Sequence, residues 1–319
     1  MSSGFVRTVG GDIAPDTLGA TNYHEHFFQV SPLLPGDELA DEAASTREAE
    51  LLRGSGFAAV VDATPVGLGR RPDALARLAR TAGVTVVATT GRHRDDHYRD
   101  RPELLEGTAS AWAARFTREL VEGMPADDRD LDGARASGPD GAPVRAGVLK
   151  AGTDYWRITA AERIALEAVA EAHRATGAPI MVHTERCTAV DELLDVLEAG
   201  GVPAHRVAIA HADRTPDAGL HAAIAQRGAY LGYDGAGRYK DWPDATLIAA
   251  CAELVEAGHG DRILLGADVA RARHYAAYGG IPGLAYLGER FVPRLRERIG
   301  EEASSAILVA NPAAWLSWG

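Results

Sequence analysis

The sequence predicts a (β/α)8 barrel, and three observations carry that prediction. Short apolar runs alternate with amphipathic helical stretches through eight β-then-α units without a break. Polar side chains able to bind metal gather at the C-terminal ends of those runs, the end at which barrels build their sites. No glycine-rich dinucleotide fingerprint follows the first run and no P-loop occurs, which leaves a doubly wound open sheet as the weaker alternative. The 319 residues, 46% of them hydrophobic, suffice for one large core, so residues 1–319 are expected to form a single barrel domain.

The elements follow in order. Gly19 to His24 is the first strand, with His26 two residues beyond its last histidine, and Glu38 to Arg53 is an Ala/Leu/Glu-rich helix. Ala58 to Thr64 is the second strand, followed by a helix over Arg71 to Ala82 with Leu75, Leu78 and Ala79 at helical spacing. Val84 to Thr90 is the third, leading into a charged loop, Arg92 to Tyr98, and a long helix from Pro102 to Glu122. Residues 123–143 are rich in Gly, Pro and Asp, have no period, and read as a loop. Ala146 to Lys150 is the fourth strand, and Thr159 with Glu162 forms a capping box that opens a helix running to Thr176. Pro179 to His183, Arg206 to His211, Ala229 to Asp234 and Arg262 to Asp268 are the remaining strands. Helices over Val190–Ala199, Asp217–Gln226 and Ala245–Ala257 separate them, and helices over Leu284–Ile299 and Glu302–Leu316 close the chain.

Charge and composition exclude several functions. The net charge of −12 disfavours nucleic acid and anionic membrane surfaces as partners, so an anionic substrate needs a locally basic pocket. No window approaches eighteen consecutive apolar residues and no signal-like core opens the chain; with two cysteines, Cys187 and Cys251, the cytoplasm is the expected location. Of the 33 basic residues only two are lysines, Lys150 and Lys240. A primary amine can be carbamylated by CO2 where a guanidinium cannot, so a retained lysine marks a position of interest.

The strand ends hold the chemistry. In His24-Glu25-His26 the two imidazoles share a face of an extended strand. The fourth strand ends in Lys150, the fifth in His183, the sixth in His211 and the eighth in Asp268. Each alone has an ordinary reading: a satisfied core histidine, a helix cap. Together they place six metal-competent groups over one barrel mouth, too many for one tetrahedral ion and suited to two first-row divalent ions sharing a bridge, with Zn2+ first and Mn2+ or Co2+ as alternatives. An ammonium cannot bind a cation, whereas a carbamylated Lys150 is an anionic two-oxygen group able to bridge two. His173, His205, His221 and His259 are expected at the surface, while His93, His97 and His274 lie on the functional side without being required as ligands.

Thr8-Val-Gly-Gly-Asp12, Tyr23-His-Glu-His26, Gly147-Val-Leu-Lys150, Val182-His-Thr-Glu185, Ile209-Ala-His211 with Asp213, Gly266-Ala-Asp268 and Asn311-Pro312 together resemble the phosphotriesterase family of the amidohydrolase superfamily over essentially the whole chain. The resemblance implies that His24, His26 and Asp268 hold the more buried metal and His183 and His211 the more exposed one. Carbamylated Lys150 and a hydroxide would bridge them. It implies attack of that hydroxide on a carbonyl or phosphoryl centre, with Asp268 passing the proton to the leaving group. Homodimerisation is common among such barrels and is expected by that analogy alone.

Substrate choice falls to the last two loops, Asp234–Trp242 and Asp268–Gly283. Lys240, Arg271 and Arg273 place positive charge there, which suggests an anionic substrate. The run Ala277-Tyr-Gly-Gly-Ile-Pro-Gly283 resembles the branch that includes phosphorylated sugar lactonases. That resemblance implies phosphate contacts from Lys240 and Arg271, with His274, followed by Tyr275, where the branch has a tyrosine. A lactonase acting on a phosphorylated or otherwise anionic sugar lactone is therefore the leading expectation. An organophosphate triesterase or neutral-lactone hydrolase with the same metal core is the alternative, and a non-catalytic metal-binding barrel is the reading from another class.

Overall fold

The computed structural model describes residues 4–238 and 241–319. The first elements are two short strands that the periodicity did not reveal, β1 (Val6–Thr8) and β2 (Gly11–Ile13), paired antiparallel. Val6 reaches the barrel interior from below, and Trp318 bonds back to Phe5 and Gly147, so both chain ends close the bottom of the barrel.

Eight parallel strands follow: β3 (Thr21–Glu25), β4 (Ala59–Asp62), β5 (Thr85–Gly91), β6 (Ala146–Thr153), β7 (Ile180–Thr184), β8 (Val207–Ala210), β9 (Tyr230–Tyr233) and β10 (Ile263–Leu265). They are hydrogen-bonded in sequence order, and the Asp268 N–H donates to the His24 carbonyl (3.0 Å) across the remaining seam. The helices between them are α1 (Glu42–Gly54), α2 (Pro72–Ala82), α3 (Ala109–Val121), α4 (Ala160–Thr176), α5 (Val190–Ala199), α6 (Ala218–Arg227) and α7 (Asp244–Glu256), with α8 (Val292–Ile299), α9 (Glu301–Ser305) and α10 (Asn311–Leu316) after β10. This is the expected (β/α)8 barrel.

Strand alternation sorts the core into two layers. Val61, Val87, Val148, Met181, Ala208 and Leu264 fill the barrel interior, while Val60, Val86, Leu149, Ile180, Ile209 and Ile263 face the helices. Tyr23 lies across the interior, under the mouth. A Cβ on Gly232 would fall 1.8 Å from the Tyr23 hydroxyl, so only glycine admits the ring there. Gly232→Ala is expected to cost on the order of 1–3 kcal/mol through overpacking, read as a fall in Tm with unchanged helix content.

Several boundaries moved for physical reasons. The predicted long helix begins at Ala109, because Gly107 adopts φ +99° and Thr108 caps the helix by accepting from the Ala111 N–H; residues Pro102–Leu105 form a separate 3-10 turn. The helix expected from Leu284 opens instead with a π turn, Leu287–Phe291, ahead of Pro293, which lacks an N–H. β6 runs three residues past Lys150, and β10 ends three residues short of Asp268. The capping box at Thr159 and Glu162 forms as predicted. Two histidines expected at the surface are buried: His221 bonds the Tyr233 hydroxyl (2.7 Å) and the Ala212 carbonyl (3.0 Å), and His173 bonds the Ala178 carbonyl (2.7 Å). Each lies on the helix face turned toward the barrel, where a neutral imidazole with partners is tolerated. Among the described residues no helix is long and apolar enough to cross a membrane.

Candidate metal centre

Regular alternation would turn His24 outward, since Tyr23 faces in. An extra residue in β3 between the pairings Asn22–Val60 and Glu25–Asp62 shifts the alternation, and both histidines reach the mouth. Lys150 and His183 keep the interior parity of Val148 and Met181. His211 and Asp268 lie past their strands in left-handed backbone, at φ 65° and 42°, a strained conformation for non-glycine residues that tertiary contacts must hold. On β5, a Cβ at Gly91 would strike the Lys150 carbonyl at 2.0 Å, so glycine lets that strand lie against the lysine.

The imidazoles are oriented by what holds their outer nitrogens. Asp234 accepts from His24 Nδ1 (3.0 Å) and from His211 Nδ1 (2.7 Å), and the Tyr23 hydroxyl bonds to the same carboxylate. His26 Nδ1 pairs with the Thr64 hydroxyl (2.8 Å), and His183 Nε2 donates to Glu185 (3.0 Å). A carboxylate only accepts, so His24 and His211 carry their proton on Nδ1 and His183 carries its own on Nε2. The inner nitrogens of these three are therefore lone pairs; the Thr64 hydroxyl both donates and accepts, so it fixes no tautomer for His26. His211 Nε2 and His183 Nδ1 face each other at 2.8 Å, while His24 Nε2 and His26 Nε2 lie 3.6 and 3.3 Å from Asp268 Oδ1. Lone pairs and a carboxylate turned on one another repel unless a cation sits among them. Tying each outer nitrogen to an oxygen is how proteins present histidines to metals.

Burial acts in the same sense. It pushes His26 down to about 4 and His211 to about 3, and His183 well below its ordinary value, so these imidazoles are neutral and able to ligate. Lys150 is fully buried, its Nζ donates to the Ala63 carbonyl (2.8 Å), and burial lowers its ammonium to about 8. Burial opposes ionisation of Asp268, yet the Arg238 guanidinium outweighs it and holds the carboxyl well below the usual range. Four imidazoles, a carboxylate and a buried lysine are a donor set that fits divalent first-row metal. His24, His26 and Asp268 lie within 4.8 Å of one another as one such group. A second group, His24, His211 and Asp234, involves the outer nitrogens, and we assign it to orientation.

The expected substrate residues fare differently. Arg271 lies 3.7 Å from Asp37, and Arg273 Nε donates to the same carboxylate (2.6 Å), so both tie the last loop to the loop after β3. Tyr275 is fully buried, its hydroxyl on Glu25 and the His26 carbonyl, and does not face the mouth. His274 is partly buried near Arg238 and Arg271. Lys240 lies outside the described residues. His93 and His97 stack at 3.8 Å between ring centres, and His93 lies 4.4 Å from His183, so both border the site without joining the ligand cluster.

Residues that the motif reading passed over complete the site: Asp234, Thr64 and Glu185 as holders of imidazoles, and Arg214 and Arg238 on Asp268 Oδ2 at 3.3 and 2.5 Å. Asp234 carries a signal in the sequence, since it ends the seventh predicted strand. The arginines carry none, because their partner lies 54 and 30 residues away.

A barrel with this donor set at its C-terminal mouth defines a metal-dependent hydrolase. The model of the phosphotriesterase family matches residues 4–316, and the chain belongs to that family. It is 31% identical to a phospho-furanose lactonase of Mycoplasmopsis synoviae, covering 100% of this chain and 93% of that protein. It is 30% identical to an N-acetyltaurine hydrolase of Danio rerio, covering 99% and 98% of the two. Among solved structures, a lactonase from Listeria monocytogenes superposes with a TM-score of 0.87 at 31% identity, covering 99% of each chain.

Proposed function

We propose that this enzyme is a binuclear lactonase that opens a sugar lactone carrying a phosphate or another anionic group. The observation that carries the reading is the inward set of ring nitrogens: four imidazoles, each with its outer nitrogen bonded to a protein oxygen, turned toward one another and toward Asp268. His24, His26 and Asp268 would hold one ion and His183 and His211 the other, with Lys150 as its carbamate offering one oxygen to each. Zn2+ is the ion this set favours. Such ions, when bound, supply a hydroxide nucleophile at neutral pH and a Lewis acid for the carbonyl oxygen. Asp268 accepts the nucleophile's proton and delivers it to the departing alkoxide, while Asp234 holds His24 and His211 in the ligating tautomer throughout. The anionic group is supported by the name phospho-furanose lactonase borne by a relative and by the arginines around the mouth.

Elemental analysis of the purified protein is expected to find about two divalent ions per chain. Chelation should abolish turnover, and Zn2+, Mn2+ or Co2+ should restore it. Full activity in metal-free protein would sink the proposal. Rates on a phosphorylated lactone, its neutral counterpart and a phosphotriester separate the substrate readings; a phosphotriester turned over fastest would favour the triesterase instead.

A further inference from the structure

We propose that Arg214 and Arg238 form the subsite that selects the substrate's anionic group, a compact oxyanion such as a phosphate held beside the reacting bond. The inference rests on the lactonase reading above and names the residues that read its charge.

Arg214 ends the 3-10 turn directly behind His211, and Arg238 stands in the loop after β9. Their guanidiniums converge from adjacent loops on one atom, Asp268 Oδ2, while Oδ1 of that carboxylate faces His24 and His26. Both side chains are mostly enclosed, 17% and 26% exposed. They are held in place: the Arg214 carbonyl accepts from Trp242 Nε1 (3.1 Å), and the Arg238 N–H donates to the Gly235 carbonyl (3.0 Å).

Arg214 and Arg238 share two carboxylates, Glu185 and Asp268, while Arg94, which also meets Glu185, has Asp96 and Asp154 besides. Glu185 is also bonded to His183, and Asp268 is a candidate metal ligand, so neither is free to neutralise the arginines. Asp241 is taken by Arg186 (3.4 Å), and Asp213 accepts from the Gly235 N–H (2.7 Å). Arg271 and Arg273 share Asp37, which binds them to loop closure. What remains is a pair of planar forks of N–H donors converging on one point, the geometry that recognises phosphate and other oxyanions. Because Arg238 touches the carboxylate that faces His24 and His26, a group bound there lies one residue from the chemistry, and the substrate it selects is compact.

The test compares metal-loaded wild type with Arg238→Met, Arg214→Met, the double variant and Arg238→Lys. It measures KM and kcat on a phosphorylated lactone and its dephosphorylated counterpart, metal content by elemental analysis, and binding of inorganic phosphate by calorimetry. Removing one charge-assisted contact is expected to raise KM for the phosphorylated substrate by about 10- to 100-fold more than for the neutral one. Phosphate binding should weaken by a similar factor, with metal content retained and Arg238→Lys intermediate. Equal losses on both substrates would show that the arginines only position Asp268, and would overturn the proposal. So would unchanged phosphate binding or loss of metal. If wild type opens neither lactone yet binds phosphate through these arginines, the lactonase reading fails and the subsite stands.

Discussion

Lys150→Ala is expected to lower turnover by about 10³-fold or more, equivalent to about 4 kcal/mol of barrier, and to leave the protein with less than its full metal complement. Lys150 is fully buried on β6, its amine within the ring of imidazoles and carboxylates that perturb it: Asp268, Asp234 and Asp62 draw its charge while burial opposes it. Removal leaves a gap the length of the side chain at the centre of the donor set and strands the Ala63 carbonyl without its donor. A short carboxylic acid, which imitates the carbamate's two oxygens, should restore part of the activity and of the bound metal. Lys150→Arg keeps a cation but cannot form the carbamate, and should fail without rescue. Rescue by a simple amine but not by acetate or propionate would sink the carbamate proposal. Mass spectrometry of the intact protein under CO2 tests the modification directly.

Asp234→Asn is the second large effect. This one carboxylate accepts from His24 and from His211, residues on opposite sides of the barrel seam that belong to different ions in the proposed arrangement. It also takes the Tyr23 hydroxyl and the His211 N–H. An amide offers one acceptor oxygen and an NH2 that opposes a second Nδ1–H, so one imidazole must turn or change tautomer. Outer partners of metal-binding histidines are typically worth 10–100-fold in affinity, and two are disturbed at once, so metal affinity measured against a competing chelator should fall by about 100-fold or more. Tm of the metal-free protein should fall much less, since a neutral amide is easier to bury than a carboxylate. Unchanged metal affinity would show that Asp234 serves packing alone.

The six candidate ligands could be picked out in the sequence because barrel geometry brings the C-terminal ends of all its strands to one mouth, so residues near those ends become neighbours. The HxH spacing, the scarcity of lysine and the order of strand ends in Lys150, His183, His211 and Asp268 needed no coordinates. Charge in the last loops was a weaker guide. Arg271, Arg273 and Tyr275 fall beside Asp268 in sequence, yet their partners Asp37 and Glu25 come from more than 200 residues earlier, and those partners draw them into loop closure.

Periodicity and strand-end chemistry were sufficient to establish the barrel, its mouth and the residue types that meet there. Tertiary structure decided which atoms of those residues point at one another. An extra residue in β3 turns His24 inward, left-handed backbone at His211 and Asp268 redirects two more side chains, and Asp234 selects the tautomers. Each of these depends on contacts between segments distant along the chain. Local periodicity records only which face of its own strand a residue occupies, and at strand ends, where the pleat stops, even that rule lapses.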